Sequence, residues 1–495
     1  MNIRRFAAHL QGALLLGMGT LLLASCARPI YYYPQYEYGG RPVPPSGISN
    51  RVLAAYTSDG NFGGLEILDA YRDIRSNVQD THPTYMISGF SAAYPEQIFN
   101  FPEQQRGYVL DRTKGALTAV NYSTEAQTGT LATYGAYPPS VSIATSGTPF
   151  AGIANGSGQI SLQTSTGSFA LTLPNVSKVV MNPGGSVILA MTRNSDLLYR
   201  IVQLSASGTS SLPPGYVDCE PLNTPLFCVV PVPGTYDRPI DAVFAPDGSA
   251  VYVLNCGQEC GGSHSSVSLL KIADLNLNRI PTTYPDINPM LSLPAANPIP
   301  IQGGVTAALS DGSTLYVSGQ QLQPDGLFAG FLSTVNLSTD LVTGQYSISD
   351  GTHTKMLFAD DNTLWIGAQQ CASGERYAHG QNYNCLTMVQ LGGSAPVPTI
   401  IPAVTPGGSQ TVPYPNQGND AYYYGSLTGI CWVQNYHKVY TAYGGQIHAF
   451  WTGNYTDPYN GTKGTPGAEI NNYYITVQGT VLDVAYMDAL TNAAN

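Results

Sequence analysis

Six of the eight cysteines fall in three pairs close in sequence: Cys219 with Cys228, Cys256 with Cys260, and Cys371 with Cys385. Thiols at such spacing either hold a metal or oxidise. A metal site wants clustered Cys and His at ligand spacing, and Cys256-Gly-Gln-Glu-Cys260 has only His264 nearby. In an oxidising compartment the pairs read as loop-stapling disulfides, although sequence does not fix connectivity. Cys431, in Gly429-Ile-Cys-Trp-Val433, reads as a buried inert thiol in a strand. Cys26 stands apart, directly behind Leu23-Ala24-Ser25.

Other chemistry is thinly marked. His82, His264, His353, His379, His437 and His448 are scattered without a ligand-spaced neighbour, so no metal or cofactor is expected. Asp247 and Asp311 precede glycines, but the alternating oxygens of a calcium loop are missing, and turn chemistry accounts for them. There is no Gly-x-Ser-x-Gly elbow, phosphate loop or dinucleotide fingerprint, and no catalytic residue is assigned. Tyrosine is abundant at 34 residues. Tyr377, His379 and Tyr383 lie between Cys371 and Cys385, and Tyr414, Tyr422 and Tyr423 lie in the next long connection. Aromatics with polar tips suit glycan or protein binding, and any single one serves packing equally well.

The N-terminus carries an address. Arg4 and Arg5 precede an apolar run, Ala13 to Leu23, that is too short to span a bilayer. Leu-Ala-Ser-Cys26 resembles the bacterial lipoprotein signal, which implies removal of residues 1–25 and lipidation of Cys26. Ala27 after the cysteine implies an outer-membrane address within that resemblance. Residues 26–50, rich in Pro, Tyr and Gly, read as a tether. The membrane is therefore one expected partner. Nucleic acid is not, since the net charge of −11 offers no basic patch to neutralise phosphates.

Elements follow from rhythm. Only 10% of residues are charged, so the straight-chain helix formers are scarce and strands and turns are favoured. Short apolar runs alternate with turn residues, most clearly in Arg238-Pro-Ile-Asp-Ala-Val-Phe-Ala-Pro-Asp-Gly-Ser-Ala-Val-Tyr-Val-Leu-Asn255. Asp-Gly between two such runs is a hairpin signal. Related units recur at 179–190, 305–318 and 355–367. This pattern resembles the YVTN-type, WD40-like β-propeller repeat, closely at 239–255 and partially elsewhere. The resemblance implies a fold, not an activity.

The reading is therefore all-β: a single propeller over residues 51–490, with a C-terminal tail at 491–495. Units starting at Gln97, Ser140, Val176, Arg238, Gly303, Thr352 and Tyr424 make seven blades. Leu482-Asp-Val-Ala-Tyr486 matches Ile240-Asp-Ala-Val-Phe244, so the C-terminal run supplies the first strand of a blade whose other strands begin at Arg51. Eight blades result, with seven as the alternative.

With strands A to D running from axis to rim, A–B and C–D connections share one side and B–C and D–A connections the other. The A–B turns are short. Long segments at 256–266, 318–330, 371–385, 206–237, 281–302 and 396–423 are assigned to the B–C side, and 453–472 to the opposite one. The functional expectation is an envelope-anchored lipoprotein whose loop-rich face binds a protein, glycan or small ligand. A lactonase-like envelope hydrolase at the channel mouth and a structural assembly component stay open as alternatives. Three or more acids converging at that mouth would favour the enzyme.

Overall fold

The structure, a computed structural model, describes residues 41–73, 85–133, 135, 137–144, 150–155, 157–164, 167–203, 215–220, 227–275, 298–324, 326, 328–371, 384–401, 425–470, 475 and 477–489. The chain divides into Met1–Pro42 and Val43–Asn495, and the account below concerns the second unit. Cys26 and the six residues Tyr377, His379, Tyr383, Tyr414, Tyr422 and Tyr423 lie outside the described residues. No helix among the described residues is long and apolar enough to cross a membrane.

Eight antiparallel sheets make eight propeller blades. The first complete one is β3 (Pro95–Phe101), β4 (Arg106–Asp111), β5 (Ala116–Asn121) and β6 (Ala126–Thr133). The second is β7 (Ser140–Ala144), β8 (Phe150–Asn155), β9 (Gln159–Thr164) and β10 (Gly167–Thr172). The third has five strands: β11 (Val176–Met181), β12 (Ile188–Thr192), β13 (Leu198–Gln203), then β15 (Phe227–Val232) and β14 (Asp218–Glu220) at the rim. β16 (Pro239–Phe244), β17 (Ala250–Asn255), β18 (Ser266–Lys271) and β19 (Ile299–Pro300) form the fourth. The fifth is β20 (Gly304–Ser310), β21 (Thr314–Leu322), β22 (Phe328–Asn336) and β23 (Leu341–Ile348). The sixth is β24 (Thr352–Ala359), β25 (Thr363–Gln369), β26 (Leu386–Gln390) and β27 (Val397–Ile401). The seventh is β28 (Leu427–Val433), β29 (Lys438–Tyr443) and β30 (Gln446–Trp451), with single bridges to Glu469 and Ile475 outside it.

The eighth blade closes the ring. β31 (Thr480–Tyr486) is its inner strand and pairs with β1 (Arg51–Thr57), which pairs with β2 (Gly63–Asp69). Inner strand from one end of the chain and outer strands from the other leave no open edge between first and last blades. β1 is buried along its whole length, as a strand flanked by neighbours and packed on both faces should be. Rim strands differ. β23 alternates exposed and half-buried positions, and β27 does the same.

Topology corrects the loop assignment. Of segment 206–237, Asp218–Glu220 and Phe227–Val232 belong to the third blade, and only the last few residues lead on to β16. Ile299–Pro300 is the fourth strand of its blade, so the long stretch before it joins third to fourth strand. Both stretches therefore leave from the A–B side, and elaboration is shared by the two sides. The third expected loop shrinks, because β21 and β22 continue their ladder to Leu322 opposite Phe328. Strands of two or three residues in Pro-rich sequence are too short to show a period of two, which is why they read as loop.

Candidate functional site

A bulge recurs in the inner strands. The A–B ladder slips one residue at Pro95/Gln97, Val176/Lys178, Pro239/Asp241, Val305/Ala307, His353/Lys355 and Leu427/Gly429. A bulge re-aims the side chain that follows it. Lys178, Asp241, Lys355 and, in β31, Asp483 thus carry charge at the inner-strand positions around the axis. A central cavity of about 500 Å³ is lined by Gln97, Asn100, Asp241, Lys355, Met356 and Asp483, among others.

Both acids of this cavity are committed. Asp241 Oδ2 lies 2.7 Å from Lys178 Nζ in the neighbouring blade. Asp483 Oδ1 lies 3.7 Å from Lys355 Nζ, and Asp483 Oδ2 accepts the Ile98 N–H at 2.8 Å. Burial pushes the Asp483 carboxyl up, while Lys355 pulls it the other way. Lys355 reaches Asp483 across an intervening blade, and Gly429 makes that possible. A Cβ there would sit 2.4 Å from Asp483 Oδ1 and 2.7 Å from its Cα. Among the described residues, two acids rather than three line the cavity, each beside a lysine.

A second polar group occupies the A–B side. The turn between β24 and β25 carries Asp360 and Asp361, and the turn between β28 and β29 carries His437. Asp360 Oδ2 meets His437 Nδ1, and one donor atom from each of the three residues falls within 4.8 Å of the others. Tyr455 stacks on the His437 ring at 3.5 Å and 5°. Its hydroxyl donates to Asp361 Oδ1 at 2.7 Å, and Thr452 Oγ1 lies 3.1 Å from Asp361 Oδ2 and 2.9 Å from the His437 carbonyl, sharing its one proton between them. Partial burial raises the Tyr455 hydroxyl, and the Asp361 and Asp360 carboxylates raise it further, so it stays a donor. Nothing in the sequence spacing reveals this group, because 77 residues separate Asp360 from His437. The signal that finds it is positional: both sit in A–B turns of adjacent blades.

Of the other predicted positions, Cys219–Cys228, Cys256–Cys260 and Cys371–Cys385 are disulfides. The second closes a 3-10 turn, Gly257–Cys260, on the B–C side, and Glu259 there packs against Gly304 of the next blade. The third ties the two ends of the loop between β25 and β26, with both cysteines buried. Cys219–Cys228 links β14 to β15 at the rim. Cys431 is a free, buried thiol whose pKa burial raises. Asp247 and Asp311 serve their turns, each accepting both the N–H and the hydroxyl of the serine two residues on.

No family model matches the chain, and no curated protein is significantly similar to it. Among solved structures, a dihydro-heme d1 dehydrogenase NirN in complex with DHE is 12% identical with a TM-score of 0.49, covering 93% of this chain and 79% of that one. The hydrazine synthase of Kuenenia stuttgartiensis is 12% identical with a TM-score of 0.43, covering 76% and 99%. The Cps50 (Swd1) propeller domain of Myceliophteria thermophila is 9% identical with a TM-score of 0.40, covering 70% and 92%. The eight sheets and their closing strand make this chain an eight-bladed β-propeller.

Proposed function

We propose that the protein is a lipid-anchored binding module of the bacterial cell envelope rather than an enzyme. The observation that carries this reading is the charge pairing in the central cavity. A hydrolase needs an acid or base free to move a proton. Here Asp241 and Asp483 are each held beside a lysine, so the cavity walls are polar but committed. Binding falls instead to connections carried by the rigid scaffold. The loops based at Cys256–Cys260 and Cys371–Cys385 are tied at their roots, which reduces the entropy lost when they meet a partner.

The anchor rests on the lipobox-like Leu23-Ala24-Ser25-Cys26. Ser46 supports an entry point on the A–B side: its N–H and hydroxyl bind Glu125 at 2.7 and 2.6 Å, in the turn after β5. In this reading the A–B side faces the membrane and the disulfide-rooted loops face outward.

A photo-crosslinking amino acid placed in living cells tests the binding face. Gln258 is exposed on the B–C side, and Ser338 is exposed in a C–D turn. Adducts from position 258 and none from 338 are expected. Adducts from 338 alone, or a hydrolytic activity lost in Asp483→Asn, would overturn the reading.

A further inference from the structure

We propose that Asp360, Asp361 and His437 form a divalent transition-metal site, zinc by preference, that bridges the A–B turns of the sixth and seventh blades. Three observations carry it. The donors are of metal-binding type and come from two separate turns, yet one atom from each lies within 4.8 Å of the others. Asp360 Oδ1 is shielded from solvent and has no hydrogen-bond partner, within a side chain that is 17% exposed. A buried acceptor left unmatched is costly, and a cation supplies the missing interaction.

The third observation is the surrounding support. Metal-bound carboxylates and imidazoles are oriented by outer groups. Asp361 Oδ1 takes the Tyr455 hydroxyl, Thr452 Oγ1 shares its proton between Asp361 Oδ2 and the His437 carbonyl, and the Asp361 backbone carbonyl accepts from Gln390 Nε2 at 2.6 Å. The Tyr455 ring fixes the plane of His437. Gly453 keeps the space open: a Cβ there would lie 2.3 Å from Asp361 Oδ2.

The donor set selects the ion. One imidazole nitrogen and two carboxylates suit a borderline cation such as Zn²⁺, which accepts three protein ligands and water. Calcium wants six to eight oxygens and gains nothing from an imidazole. The competing account is a plain His–Asp hydrogen bond that fastens two blades without any ion.

Titration calorimetry of the EDTA-treated full-length protein with ZnCl₂, with CaCl₂ as a separate arm, separates the two. Wild type is expected to bind one zinc per chain and to melt at higher temperature with zinc than without. His437→Ala and Asp361→Asn should each weaken binding at least tenfold and abolish the zinc-dependent rise in melting temperature. Tyr455→Phe keeps the stack and loses the hydroxyl, and should weaken binding by a smaller factor. If His437→Ala lacks native circular dichroism, His437→Gln gives the same readout. The proposal is overturned by wild type without saturable zinc binding, by zinc binding that survives the His437 and Asp361 substitutions, or by calcium binding tighter than zinc.

Discussion

Arg51 opens the first strand and Asp488 lies just past the last, and the two are joined by a bidentate ion pair. Arg51 Nη2 lies 2.7 Å from Asp488 Oδ1, and Arg51 Nε lies 3.1 Å from Oδ2. The Arg51 backbone N–H also donates to Asp488 Oδ2 at 2.8 Å. Nη1 binds Glu125 at 2.9 Å and the Tyr122 carbonyl at 2.6 Å. The first and last strands of the propeller are thus locked to each other and to the first blade by one buried guanidinium. Removing one partner of a buried pair leaves the other charge stranded. Asp488→Ala is expected to cost about 3–5 kcal/mol of unfolding free energy in denaturant titration. A loss below about 1 kcal/mol would show that β31 holds the ring without this clasp.

Gly429, beside the cavity-lining Ile430, is predicted to tolerate no side chain. Alanine there would drive a Cβ into the Asp483 carboxylate and backbone. Overpacking of this kind costs about 1–3 kcal/mol, and it would also part Lys355 from Asp483. Thermal unfolding of Gly429→Ala against Ala307→Gly, at the equivalent position of the fifth blade, checks it. The first should lower the melting temperature more than the second.

Two buried groups should tilt stability in opposite directions with pH. His353 is fully buried, and burial lowers its pKa from 6.5 to about 4. The unfolded chain then binds more protons between pH 4 and 6.5, so this group's contribution is full above that window and is lost as pH falls through it. The stability difference between wild type and His353→Gln should shrink by about 3 kcal/mol from pH 7 to pH 4. Asp73 does the reverse. Burial raises it to about 6 despite its 2.7 Å contact with Lys438 Nζ. Its contribution is full at low pH and is lost as pH rises from about 4 to 6. The difference between wild type and Asp73→Asn should therefore grow on acidification, as read by denaturant titration at each pH.

The Cys371–Cys385 bridge closes a loop of sequence separation 14. Such a loop constrains the unfolded chain by about 3 kcal/mol. The double variant Cys371→Ser, Cys385→Ser should lose about that much in denaturant unfolding under non-reducing conditions, with the propeller intact by circular dichroism.

Much of the fold is legible from local grammar. Pro246-Asp-Gly248 between two apolar runs marks β16 and β17, and the likeness of Leu482-Asp to Ile240-Asp reveals the closing strand. That likeness also places Asp241 and Asp483 at matching inner-strand positions, although their bulges and lysine partners emerge only in three dimensions. Rim strands are harder to read. Ile299–Pro300 and Asp218–Glu220 owe their place to neighbours rather than to any alternation of their own. The Asp360–Asp361–His437 group is invisible to motif spacing for a related reason. Blade adjacency, not chain distance, brings its parts together.

The reading of this chain as an envelope-tethered propeller is tested most directly at Cys26. Cells expressing wild type or Cys26→Ser are labelled with radioactive fatty acid and fractionated. Label on wild type, together with its loss and release of the protein into the soluble fraction in Cys26→Ser, is the predicted result. An unlabelled wild-type protein, or a Cys26→Ser protein that stays in the membrane fraction, would contradict it.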